Sequence, residues 1–211
     1  FYTPVHEFEI NVYVDDFVMF APESLKEKLW RELDEDIKFK DPAIALERYL
    51  GVHFEVSVKA DGTVVLKTQM TNYLRDAVKA YMKELGVTTL AFVPTPHLDE
   101  KFEDDPTLVV PGKFAKTCAS HLMKLLYAAR LARADFLVAN TTLARRVSKW
   151  FSDEDRRLHR LMCYVHHHAE LALYHRLHPD DLKTAVLQYY PDAGLGGDLS
   201  TTKSNYIWHV A

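Results

Sequence analysis

Ile10-Asn11-Val12-Tyr13-Val14-Asp15-Asp16-Phe17-Val18-Met19-Phe20 consists of two β-prone runs with adjacent carboxylates between them. Aspartate tolerates tight-turn backbone angles, so the spacing predicts a hairpin with Asp15 and Asp16 at its tip. Hard cations such as Mg²⁺ take oxygen ligands. Two-metal phosphoryl transfer holds its ions roughly 3.5–4 Å apart, so a carboxylate pair is the donor set that chemistry needs. An Asp-rich turn without a ligand also fits Tyr13–Asp16, and on these residues alone it is the favoured reading, because aspartate is common in turns.

Working outward, Ser24 and Glu27 have capping-box spacing ahead of a helix expected over 25–37. Leu25, Leu29, Leu33 and Ile37, widened by Trp30, predict one buried face. Val52, Phe54, Val56 and Val58 alternate with polar residues, Asp61-Gly62 breaks the run, and Val64 to Leu66 resumes it, which reads as a β-hairpin. A helical pattern then runs from Asn72 to Leu85, with Gly86 placed to end it.

Pro94-Thr95-Pro96 stops regular structure, and 97–113 is acidic and proline-bearing, as in a linker. From Phe114 to His175 glycine and proline are almost absent. Helices are expected from about Leu122, over 137–150 and over 153–174, the last capped by Ser152 with Asp153, Glu154 and Asp155 near its positive end. Strand pattern returns at 184–190 and 206–210, around a Gly-rich turn at 191–200.

The 211 residues are 48% hydrophobic and 27% charged, ordinary globular usage. No run of roughly 18 apolar residues or basic-then-apolar leader occurs, so neither a membrane span nor a signal peptide is expected. Cys118 and Cys163 make no disulfide framework, which suits a reducing compartment. The chain begins Phe-Tyr, as expected of a piece of something longer.

The net charge is −4, yet 113–160 carries eleven cations against four anions, a net +7. Such a surface can track a phosphate backbone, and it can equally be a solvated helix face. His159, Cys163, His166, His167 and His168 lie on one predicted helix. Zinc sites usually draw ligands from two elements with paired short spacings, so zinc is not expected here.

The order of these features resembles the reverse transcriptase of copia-type (pseudoviral) LTR retrotransposons. The stations are Tyr13-Val14-Asp15-Asp16, Tyr49-Leu50-Gly51-Val52, Leu66 with Gln69 and Tyr73-Leu74, and Pro94-Thr95-Pro96. Leu126-Tyr127-Ala128 with Arg133 and Asp135 follow, then Tyr190, Asp192-Ala193 and Gly197-Asp198. Each is weak alone, but together they cover nearly the whole chain in the family's order.

The resemblance implies an α+β fold. A partial polymerase palm of antiparallel hairpins and helices would occupy 1–96, an acidic linker 97–113, a helical thumb or connection 114–180, and a truncated β-hairpin opening a ribonuclease H-like domain 181–211. It implies an RNA-directed DNA polymerase in which Asp15 and Asp16 bind Mg²⁺ or Mn²⁺ and Tyr13 lies near the primer terminus. Asp192 would be the first ribonuclease H carboxylate, although Gly194 and Leu195 depart from the family's pattern there.

Lys124, Arg130, Arg133, Arg145, Arg146 and Lys149 are the implied contacts to nucleic acid, with Arg133-Ala134-Asp135 departing from the family in lacking a proline between its charges. The implied partners are an RNA/DNA template-primer duplex, deoxynucleotides and the rest of a retroelement polyprotein, inside the cell in a cytoplasmic particle or the nucleus, with no membrane.

In the family a third aspartate comes from an upstream palm strand. Only Phe1 to Glu9 precede this hairpin, so the segment alone is not expected to polymerise. A palm sheet lacking its first strands would also expose apolar edges. The alternative of another class is a non-catalytic retroelement derivative that binds nucleic acid or serves a structural role.

Overall fold

The computed structural model describes residues 2–3, 8–98, 110–184, 186, 189–194 and 205–210. The fold is α+β, as expected, and divides into two compact units. The first comprises Phe1–Val56 with Leu66–His175, and the second Ser57–Val65 with Arg176–Ala211.

In the first unit, β1 (Tyr2–Thr3), β2 (Phe8–Tyr13) and β3 (Asp16–Phe20) form an antiparallel sheet in that order, leaving β3 at an edge. Helix α1 (Glu23–Ile37) starts at an uncapped end after Pro22, so the expected Ser24–Glu27 capping box is not what begins it. None of its residues is fully buried. Leu25, Leu29, Trp30 and Leu33 are half-covered, a thinner seam than the heptad-like spacing predicts. Phe39 ties helix to hairpin, its ring edge-on to both Phe17 (5.1 Å) and Trp30 (5.6 Å).

Strands β4 (Arg48–Tyr49), β5 (Val52–Val58) and β6 (Val64–Gln69) follow, then α2 (Thr71–Leu85). The α2 stripe Leu74, Ala77, Val78 and Tyr81 is buried, and Gly86 ends the helix at φ 83°, a left-handed conformation glycine adopts without strain. Helix α3 (Cys118–Leu131) buries Leu122, Leu125, Ala128 and Ala129. Then come a 3₁₀ turn at Ala134–Phe136, α4 (Leu137–Ala144) and α5 (Ser152–His167).

The last two helices are shorter than the sequence pattern suggests. The chain after α4 breaks into turns, and Tyr174 lies in a strand, β7 (Leu173–Leu177), which joins a sheet of order β4-β5-β6-β7. Phe151, not Ser152, is the N-cap of α5, and the Glu154 carboxylate accepts from its backbone N–H at 2.9 Å.

One apolar core joins α2, α3, α4 and α5, with members from Val52 to Ala169. The segment 97–113 therefore links parts of a shared core. Its described end is clamped against the α4–α5 connection. Gly112 N–H donates to the Trp150 carbonyl (3.1 Å), Ser152 N–H to that of Val110 (3.1 Å), and Asp155 accepts from Phe114 N–H (3.2 Å) and Trp150 Nε1–H (2.6 Å). The glycine is required sterically: a Cβ there would lie 2.6 Å from the Phe151 carbonyl oxygen and 2.6 Å from Trp150 Cδ1.

In the second unit, Asp180 N–H donates to His178 Nδ1 (3.2 Å), which leaves Nε2–H to donate to the Asp61 carbonyl (3.1 Å). Strands β8 (Tyr189–Gly194) and β9 (Asn205–Val210) pair antiparallel. Strand structure thus extends through Pro191–Gly194, where a turn was expected, while the expected strand at 206–210 is present.

Candidate functional site

The hairpin register pairs Val12 with Phe17 and Tyr13 with Asp16, so Val14 and Asp15 are the two connecting residues. The turn therefore sits one residue earlier than predicted: Asp15 is in it, and Asp16 opens β3. Because they are register partners, Tyr13 and Asp16 share a face of the ribbon. Both carboxylates are exposed at the tip.

Val14 has φ 57° and is 83% exposed. A β-branched side chain clashes with its own backbone there, at a cost of about 1–3 kcal/mol. An exposed valine contributes little burial to offset that strain, whereas glycine or asparagine would avoid it.

A second turn approaches the same region. Tyr49 pairs with Val52, and between them Leu50 (φ 49°) and Gly51 (φ 80°) are both left-handed, the pattern of a type I′ hairpin. The α3 residue Tyr127 donates its hydroxyl to the Leu50 carbonyl at 2.7 Å and packs its ring 5.5 Å from that of Tyr73 on α2. Burial pushes the Tyr127 phenol pKa up, and the nearby phenols of Tyr13 and Tyr49 add to it. Four tyrosines from β2, β4, α2 and α3 thus gather beside the carboxylate tip.

The predicted nucleic-acid contacts divide into two groups. Lys124 and Arg130 on α3, and Arg145 and Lys149 after α4, are exposed. Arg133 is instead 2% exposed. It holds Asp135 in a bidentate pair, Nε to Oδ1 and Nη2 to Oδ2 at 2.8 Å each, and Tyr164 donates to the same carboxylate at 2.9 Å. Burial alone would raise the Asp135 pKa, but the Arg133 hydrogen bonds and charge outweigh it and hold it low.

Arg146 pairs with Glu154, whose side chain is 1% exposed. Arg133 is therefore an internal strut, a correction to its reading as a phosphate contact, while Arg146 is half-buried with its guanidinium on Glu154. Three further cations of the +7 segment are also engaged. Arg156 and Arg157 hold Asp153, and Arg160 donates to Thr95 Oγ1 (2.7 Å) and the His97 carbonyl (3.2 Å). The raw charge count overstates what faces solvent.

The histidine run is likewise structural. His159 Nδ1 lies 3.0 Å from the Tyr81 hydroxyl, and its Nε2 is 3.5 Å from Cys163 Sγ. Burial raises the Tyr81 pKa, so the phenol keeps its proton beside the imidazole. His167 Nε2–H donates to the Leu90 carbonyl (2.9 Å), and His168 packs on the Tyr164 ring at 4.4 Å.

Asp192 pairs with Ile207 in the second unit. Among the described residues no group of three or more His, Cys, Asp or Glu is placed to share one ion. Two carboxylates do fit a hard divalent cation, since Mg²⁺ usually takes one or two protein carboxylates and completes its shell with water and substrate phosphates. No helix among the described residues is long and apolar enough to cross a membrane.

Comparison with protein-family models, with curated proteins and with solved structures finds no match. The tyrosine gathering and the Arg133–Asp135–Tyr164 strut escaped sequence reasoning. Tyr49, Tyr73, Tyr127, Arg133 and Asp135 all stood in the quoted motifs, but nothing in their spacing says which of them meet.

Proposed function

We propose that this chain is a segment of a retroelement RNA-directed DNA polymerase, in which Asp15 and Asp16 supply two carboxylates of the nucleotidyl-transfer site. The observation that carries the reading is the strained, exposed turn that holds both at the hairpin tip. Retaining valine at φ 57° is costly for a simple connection, and such outliers concentrate where backbone placement serves a site. Transfer of a nucleotide to a primer 3′-hydroxyl needs charge neutralised on the entering and leaving oxygens, which Mg²⁺ or Mn²⁺ supplies when bound.

The chain's own parts divide the remaining work. Asp15 and Asp16 offer the oxygen donors, Tyr13 stands across the ribbon from Asp16 toward a primer end, and Lys124, Arg130, Arg145 and Lys149 neutralise phosphates of an RNA/DNA duplex. Asp192 is assigned to a ribonuclease H site by resemblance alone. Among the described residues no third His, Cys, Asp or Glu joins Asp15 and Asp16 in one group.

The second reading is a retroelement-derived nucleic-acid-binding or structural protein, for which the exposed cations Lys124, Arg130, Arg145 and Lys149 are enough. Titration with Mn²⁺, followed by electron paramagnetic resonance, tests the first. Binding is expected to fall at least tenfold in Asp15→Asn and Asp16→Asn with the fold unchanged by circular dichroism. Binding that survives the double substitution refutes it.

A further inference from the structure

The exposed face of α3 next to the hairpin tip has the composition of a base-stacking step. Lys124, Tyr127 and Arg130 fall at i, i+3 and i+6, so each cation neighbours the tyrosine on the helix surface. The helix carries no Asp or Glu anywhere between Cys118 and Leu131. Charge on this face is therefore complementary to phosphate, and the ring between the cations adds a π-face on which a nucleobase can stack.

The Tyr127 ring is 39% exposed, yet it is held at both ends by its hydroxyl on the Leu50 carbonyl and by packing against Tyr73. A ring already fixed loses little freedom when something stacks on it. Tyr13, 59% exposed, offers a second ring in the same neighbourhood. Aromatic faces flanked by cations bind single-stranded nucleic acid, because every base has a π-face and every linkage a phosphate.

We propose that Tyr127, flanked by Lys124 and Arg130, stacks an unpaired nucleobase of a single strand that runs past the carboxylate tip. The Leu50 carbonyl is the positioning partner: its hydrogen bond sets the ring's angle and couples a stacked base to the β4–β5 turn. The inference deepens the polymerase reading and rests on it for the ligand class, although base stacking on this face does not require a metal.

The test is fluorescence anisotropy of the whole chain with a labelled oligothymidylate and with an abasic oligonucleotide of equal length and charge. The expected results are about tenfold tighter binding of the base-bearing strand and loss of that preference in Tyr127→Ala. Tyr127→Phe, which keeps the ring and loses the Leu50 bond, retains part of it. Lys124→Ala and Arg130→Ala are expected to weaken both probes alike, each lowering the log–log salt slope by about 0.7.

Equal binding of the two probes by the unsubstituted chain overturns the proposal, and so does displacement of the oligonucleotide by poly-glutamate at equal charge. Because this comparison needs no variant, it stands even if Tyr127→Ala fails to fold. The Mn²⁺ titration fails independently: base-selective binding without a carboxylate-dependent Mn²⁺ site removes the polymerase reading alone, and the converse removes the stacking site alone.

Discussion

Replacing Asp135 with alanine is the most direct probe of how the basic segment is used. The Arg133 side chain is 1% exposed, and Asp135 holds it through two 2.8 Å hydrogen bonds. Asp135→Ala strands a buried guanidinium without a counter-charge and leaves the Tyr164 hydroxyl without its acceptor, while Arg133 Nη1 has no hydrogen-bond partner among the described residues even now. Removing one member of a buried pair costs about 3–5 kcal/mol, a large part of a small domain's stability.

Arg133→Met is expected to cost less, about 1–2 kcal/mol. The remaining carboxylate is about a third exposed and is rehydrated, and the methionine replaces a guanidinium that lies 5.2 Å from the Phe136 ring. Urea unfolding read by tryptophan fluorescence measures both, with unchanged m-values required for the comparison. The pH dependence has a definite sign. Because the folded-state pKa of Asp135 is lowered, its stabilising contribution is present above the unfolded value of about 3.9 and is lost as pH falls through the lower folded value. A cost below about 1 kcal/mol for Asp135→Ala would refute the strut. So would an Arg133→Met variant that keeps its stability while its oligonucleotide salt slope falls by about 0.7, the loss of one phosphate contact.

Two further outcomes test the packing of the first unit. Gly112→Ala forces a methyl to within 2.6 Å of the Phe151 carbonyl oxygen and is expected to lower stability by about 1–3 kcal/mol, read as a drop in Tm of several degrees. Glu84 has its pKa lowered, first by the Thr117 hydroxyl and then by His121 Nε2 at 2.8 Å, although burial opposes both. Its contribution is therefore present above about pH 4.3 and lost in more acidic solution. Thr117→Val should shrink that acid-limb loss in a pH series of thermal melts, and an unchanged acid limb would count against it.

The elements built from local pattern were readable in advance. The β2–β3 hairpin, the β5–β6 hairpin and α2 with its Gly86 stop follow from alternation, helical spacing and one glycine, all of which act between near neighbours. Reading was poorest where near neighbours compete with distant ones. Leu25, Leu29 and Leu33 predict a buried seam, yet burial needs a partner surface, and Phe39 with the hairpin covers it only in part. The α5 pattern continues in sequence past His167, but β7 takes the chain because a strand position in the β4-β5-β6-β7 sheet supplies backbone partners.

For the carboxylate hairpin the sequence alone determined that two acids lie at the tip of an apolar ribbon. Composition also placed eleven of the 26 cations, against only four anions, in the middle of the chain. Only the tertiary structure decided the rest: that the turn is Val14-Asp15, that Arg133 is buried and Arg146 pairs with a buried Glu154, and that Tyr127 reaches Leu50 across 77 positions. Charge and periodicity are properties of residue types and near neighbours. Whether an arginine and its nearby carboxylate are buried, and which phenol meets which carbonyl, depends on the packing of helices far apart in the chain.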